Sequence, residues 1–203
     1  MGASPPAGNY VLPTVLVGFK RLHPLITLHL RVASGPQMGA DMLSGVNDFA
    51  VAEVGGDLPD GLATEPLWDE PIVLFCAPGS PLASGPVSAS TLAGEPMVGN
   101  AGAGLVRSQL EWQMASLGVQ LRPPALDLST TEAVKRAVSG GAGIAAAYRC
   151  EVADDLKAGT LCELHTPDLD LYQTFALVYR RNKRFSPVAR RLLDHLRGHW
   201  AEG

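Results

Sequence analysis

Hydroxyl-bearing residues stand just ahead of helix signals at separated points of this 203-residue chain. Ser34 precedes Gln37 by three residues and Ser129 precedes Glu132 by three. That spacing lets a hydroxyl and a longer side chain tie up backbone N–H groups left free at a helix start. Ser4 is followed by Pro5, and proline is favoured at the first helical position. The turn Gly99-Asn100-Ala101-Gly102-Ala103-Gly104 opens a further helix after a short strand. Helix amino ends offer unpaired N–H donors and the positive end of the helix dipole. Starts of this kind converging on one crevice suit a small anion such as a carboxylate, phosphate or sulfate. Plain capping explains any one of them, so it is their recurrence that points to a site.

Catalytic templates are not met. No His-Glu-x-x-His, P-loop or Gly-x-Ser-x-Gly elbow occurs, and the near miss at Ser139 has Ala137 where the elbow needs glycine. The Gly-rich turn has Asp127 downstream, as a dinucleotide site would want. Counting from Gly102, however, the third glycine position is Arg107, whose side chain blocks the close helix packing that glycine allows. Cys76, Cys150 and Cys162 form no Cys-x-x-Cys and meet no histidine at metal-ligand spacing, so they read as unpaired small hydrophobes in a reducing compartment, with no metal or cofactor implied. His23, His29, His165, His195 and His199 read as surface or helix-end residues.

These residues need a scaffold of alternating elements. Leu12, Val15, Leu16 and Phe19 follow helical spacing, which predicts a helix over about Gly8–Leu22 ending before Pro24. Ile26, Leu28, Leu30 and Val32 alternate as a half-buried strand, and Gln37–Leu43 and Phe49–Ala52 follow as helix and strand. After a break at Gly55–Gly61, Pro71–Cys76 is apolar enough to be covered on both faces. The rhythm restarts with strands near Pro96–Gly99 and Ala125–Leu128 and helices near Leu105–Leu117 and Thr130–Val138. Strands at Gly143–Ala147, Leu161–Leu164 and Tyr172–Tyr179 lead to a last helix whose apolar face is Phe185, Val188, Ala189, Leu192, Leu193 and Leu196. The pattern is that of two α/β units, and in an open α/β sheet ligands bind beyond the carboxyl ends of strands.

Composition narrows the class. With 46% hydrophobic residues, 18% charged residues and a net charge of −4, the chain is an ordinary globular protein with no overall field for a polyanion. The cluster Arg180-Arg181-Lys183-Arg184 reads as a solvated face rather than a nucleic-acid grip. No apolar run reaches membrane-spanning length and the amino end lacks a signal-peptide pattern, so the expected location is the cytoplasm, away from membranes.

Several stretches, in this order and spacing, resemble the effector-binding domain of LysR-type transcriptional regulators. They are Gly2-Ala3-Ser4 to Pro13, Phe19 to Pro24, Gly45 to Ala50, Pro81-Leu82-Ala83, Leu92 to Pro96, Ser129 to Val138, Gly141 to Ile144 and Gly159-Thr160-Leu161. The resemblance implies two Rossmann-like lobes of the type 2 periplasmic-binding-protein fold, residues 1–69 plus 173–203 and residues 70–172, joined by two crossing segments. It implies a non-enzymatic sensor: a small metabolite, anionic in kind, binds between the lobes and biases an oligomer on promoter DNA. It also implies a homodimer, and a winged helix-turn-helix that would precede residue 1 and carry the DNA contact. The effector contacts it implies are Ser4 and Pro5, Ser34 and Gly35, the turn Ala101-Gly102-Ala103-Gly104 with Arg107, and Ser129 with Thr130. One departure is Gly104-Leu105-Val106 ahead of Arg107, where the family usually places hydroxyls. Another is the short amino end, which leads us to expect a vacancy beside the strand at Ile26–Ala33. Solute-binding proteins of transporters, and enzymes of the same fold, are the alternative readings.

Overall fold

The computed structural model describes residues 1–55 and 60–201, so part of the expected break, residues 56–59, lies outside the described residues. In chain order the elements are β1 (Gly2–Ala3), α1 (Leu12–Leu22, entered through a π-helical turn at Ala7–Val11), β2 (Arg31–Val32), α2 (Gly35–Ser44), β3 (Ala50–Glu53) and β4 (Leu62–Cys76). There follow α3 (Ala89–Gly94), β5 (Val98–Asn100), α4 (Gly104–Ser116), β6 (Leu126–Leu128), α5 (Thr131–Ser139) and β7 (Ala145–Tyr148). The chain ends with α6 (Arg149–Ala158), β8 (Cys162–Glu163), β9 (Tyr172–Arg180) and α7 (Pro187–Ala201). It divides into two compact units, Met1–Asp69 with Thr174–Gly203 and Glu70–Gln173, crossing from one to the other within β4 and returning within β9.

In the first unit β1 lies between β2 and β3, parallel to both, and β9 pairs antiparallel with β3. The expected vacancy is therefore filled. Residues Met1–Ser4 supply the missing rung: Gly2 N–H donates to Phe49 O, Ser4 N–H to Val51 O, and Ala33 N–H to Ala3 O, at 2.9–3.0 Å. Only two residues of β1 are available, so only Arg31–Val32 of the anticipated strand joins the ladder. Ile26, Leu28 and Leu30 nevertheless keep the alternation, half-buried between exposed Thr27 and His29. Met38 and Met42 of α2 pack on Ala50, Ala52, Leu62 and Val178. On α1, Leu12, Val15 and Phe19 are buried, and α7 closes over them through the His195 ring, 5.4 Å from that of Phe19. Burying one such large side chain contributes about 1.5–3 kcal/mol.

In the second unit β4 pairs antiparallel with β7 and then with β8, while β5 runs parallel to β6 and meets β7 at Met97–Ile144. Val73, Phe75, Val98, Val134, Val138, Ala145, Ala147, Val152 and Leu161 form its core. Gly143, at φ +131°, admits the close approach of β7 to β5: a Cβ there would stand 2.1 Å from Pro96 O. Helix α6 has no counterpart in the sequence reading. Only Glu151 and Val152 of its ten residues are buried, so it carries no apolar stripe to read.

Candidate functional site

Three strand ends come level in the first unit. Ala3 is in register with both Val32 and Val51, so Ser4 and Ser34 lie just beyond the carboxyl ends of β1 and β2, and Glu53 is the last residue of β3. Ser4 heads the first helix, its carbonyl accepting from Gly8 N–H at 2.8 Å, with Pro5 exposed behind it. Its side chain is buried, and among the described residues Oγ makes no hydrogen bond of good geometry. The Glu53 carboxyl lies beside it. Burial pushes that carboxyl above the ordinary carboxylate range, and the Ser4 hydroxyl pulls the other way.

Ser34 holds the position before α2, but the anticipated capping box is not formed. Its hydroxyl makes no capping bond, and Gln37 donates instead to Asp41 Oδ1 at 2.8 Å, while Arg31 pairs with the other Asp41 oxygen at 2.9 Å. Pro36, at the start of the helix, has no N–H to give, which removes one of the hydroxyl's usual partners. The result is an exposed hydroxyl, uncommitted among the described residues, beside Gly35, whose surroundings are open.

In the second unit the Gly-rich turn is held from within. Ala101 N–H donates to Leu128 O, Gly102 N–H to Asn100 Oδ1 and Ala103 N–H to Asn100 O, at 2.8, 3.1 and 2.9 Å. Those amides are occupied. What remains at this point is the start of α4 at Gly104, which has no side-chain cap. Asn100 Nδ2 donates to Thr131 Oγ1 at 3.1 Å, and that hydroxyl donates to Glu151 Oε1 at 2.7 Å. The other Glu151 oxygen accepts from Tyr148 N–H. A chain of bonds thus ties the turn to the starts of α5 and α6.

The second capping box is not formed either, and the cap moves by one residue. Thr130, not Ser129, caps α5 by accepting from Ala133 N–H at 3.3 Å, and Glu132 pairs with Lys135 at 2.6 Å. Ser129 is left exposed with no capping role. Burial of the Lys135 amine works against its charge, but bonds to Asp155 and Glu132 outweigh this and hold it above its ordinary value. Arg107 is engaged elsewhere: it donates to Glu111 Oε1 at 2.5 Å, to Met97 Sδ at 3.5 Å and to Arg122 O at 3.2 Å.

A family profile described as the LysR substrate binding domain matches residues 1–201. The chain belongs to that family. The HTH-type transcriptional regulator YeiE of Escherichia coli (strain K12) is 32% identical over 199 residues, which cover 95% of this chain and 65% of YeiE. The transcriptional activator CmpR of Synechocystis is 24% identical over 195 residues, covering 95% of this chain and 63% of its own length. The chain thus spans just under two thirds of these regulators. Among solved structures, the Synechocystis PCC6803 CcmR regulatory domain in complex with 2-PG superposes with a TM-score of 0.86 at 22% identity, covering 98% of this chain and 95% of that one. The effector binding domain of QuiR in complex with shikimate gives 0.83 at 17% identity, with 99% and 95% covered. The LysR-type domain has the type 2 periplasmic-binding-protein fold that the resemblance implied.

Within this LysR-type domain, sequence reasoning did not reach Glu53 or Glu151, and it met Asn100 and Thr131 only inside longer stretches, without a role of their own. Glu53 ends an apolar strand with no partner nearby in sequence, and the Asn100–Thr131–Glu151 chain joins residues 20 and 31 apart. The hydroxyl after Ser129-Thr130 was the only local hint.

Proposed function

We propose that this domain is the ligand-sensing part of a cytoplasmic transcription regulator, and that it takes a small anionic metabolite. The contacts come from the strand-end cluster Ser4, Pro5, Ser34 and Gly35 in one unit, and from Gly104 and the turn before it, Ser129 and Thr130 in the other. The buried Ser4 Oγ, without a well-made hydrogen bond at the head of a helix, carries the reading. A buried hydroxyl whose neighbour is the Glu53 carboxyl can be matched better by a ligand oxygen. Glu53 refines the ligand chemistry. An anion beside Ser4 meets this carboxyl, so it binds together with a proton, which burial already favours on Glu53. Arg107 plays a supporting part by holding α4 to the segment at Arg122. In the full regulator the domain pairs as a homodimer, and a winged helix-turn-helix outside this sequence meets promoter DNA.

The test is thermal unfolding against a panel of anions comprising 2-PG, shikimate, phosphate and sulfate. A ligand at about 100 times its Kd adds roughly 2.7 kcal/mol of stability. Dose-dependent stabilisation that disappears in Ser34→Ala and Ser129→Ala supports the reading. Stabilisation that survives both substitutions places the ligand elsewhere and refutes it.

A further inference from the structure

Two of the three cysteines face each other across a ladder. Cys76, the last residue of β4, and Cys162, the first of β8, are direct antiparallel partners. Leu164 N–H donates to Leu74 O at 2.9 Å, two residues along, so the Cys76–Cys162 position is also of the hydrogen-bonded kind. Cα atoms at such positions lie about 5.5 Å apart, inside the ~4.4–6.8 Å that a disulfide spans. Direct partners project to the same face of the sheet. Both thiols are free; Cys76 is buried and Cys162 half-buried.

We propose that Cys76 and Cys162 form a reversible thiol–disulfide couple that a hydroperoxide closes. Cys162 is the more accessible and reacts first. Its thiolate sulfur attacks the outer peroxide oxygen, forming S–O as O–O breaks, and the departing hydroxide or alkoxide takes up a proton. Cys76 sulfur then attacks the Cys162 sulfur, forming S–S as S–O breaks, and the hydroxide leaves as water with the Cys76 proton. Two thiols and one hydroperoxide become a disulfide, an alcohol (or water, from hydrogen peroxide) and a water; an external thiol reverses the link by exchange.

The surroundings divide the three thiols by role. Burial pushes the Cys76 thiol up and the neighbouring Cys162 adds to this, while the Ser80 hydroxyl pulls it down. Cys150 is pushed up much further by burial and by the Glu70 and Glu151 carboxylates, which makes it the least nucleophilic and an internal control. The link would pin β8, held to β4 by a two-residue ladder, to the end of that strand. It would also close a long loop of the unfolded chain.

Trypsin leaves the three cysteines on separate peptides, since Arg31 and Arg107 flank the one with Cys76 and Lys157 separates Cys150 from Cys162. After hydrogen peroxide treatment of the 203-residue chain, the expected result is a peptide pair joined through Cys76 and Cys162 with a mass loss of two hydrogens. Cys150 should be the one thiol still open to alkylation, dithiothreitol should restore all three, and the oxidised chain should melt several degrees higher. The pair should persist in Cys150→Ser and vanish in Cys162→Ser. Oxidation that stops at a sulfinic Cys162, a link through Cys150, a link between two chains, or three unmodified thiols would each overturn the proposal.

Discussion

Glu53 ends β3 with its carboxyl beside the Ser4 hydroxyl, so a half-buried acid and a buried hydroxyl share the carboxyl edge of the first unit's parallel strands. Neither is committed to the sheet or to a helix cap. Two polar groups withdrawn from water without full compensation lower stability, and that cost is removable by a ligand or by substitution.

Ser4→Ala removes the hydroxyl with little loss of packing. The hydroxyl's poor geometry and its help to the Glu53 carboxyl offset each other, so thermal stability should stay within about 1 kcal/mol of the parent, while stabilisation by the effective anion is lost. A melting curve with and without ligand separates the two effects. A variant that is destabilised by several kcal/mol would mean that Ser4 is structurally bonded.

The pH dependence follows from Glu53. Its folded-state value is raised above the unfolded one of about 4.3, so the contribution is fully present below that value and is lost as pH rises through the folded value. Glu53→Gln should therefore be more stable than the parent at pH 7 to 8, with the gap closing towards pH 4. Anion affinity should fall with rising pH in the parent and stay flatter in the variant. Titration calorimetry in two buffers of different ionisation heat would show proton uptake in the parent alone.

Gly143→Ala tests the close approach of β7 to β5. A Cβ 2.1 Å from Pro96 O, on a backbone at φ +131°, forces the strands apart. The expected cost is about 3 kcal/mol or more in urea unfolding. Gly94→Ala, where nothing lies within 4 Å, should stay within about 0.5 kcal/mol of the parent.

Thr131→Val breaks two bonds at once, those with Asn100 Nδ2 and Glu151 Oε1. Loss of about 1–2 kcal/mol is expected. Amide exchange should also quicken at Gly102, because its partner Asn100 loses an anchor.

The order and type of most elements were legible because they rest on local signals. Phe19 and Leu12 recur at helical spacing, Pro71–Cys76 is apolar throughout, and Pro24 ends a helix by sterics. The strand-end position of Ser34 was legible for the same reason, whereas that of Ser4 was not, because the strand before it was expected to be missing. What each hydroxyl does was not, since capping depends on which N–H is free. Pro36 withholds one from Ser34, and a one-residue shift of α5 hands the cap to Thr130. β1 was missed because two residues carry no period, and its place between β2 and β3 comes from backbone bonds alone. The nearness of Glu53 to Ser4, the Asn100–Thr131–Glu151 chain and the facing of Cys76 and Cys162 belong to register. Local sequence sets which residues are buried along an element. Only the pairing of elements distant in the chain decides which of those residues meet.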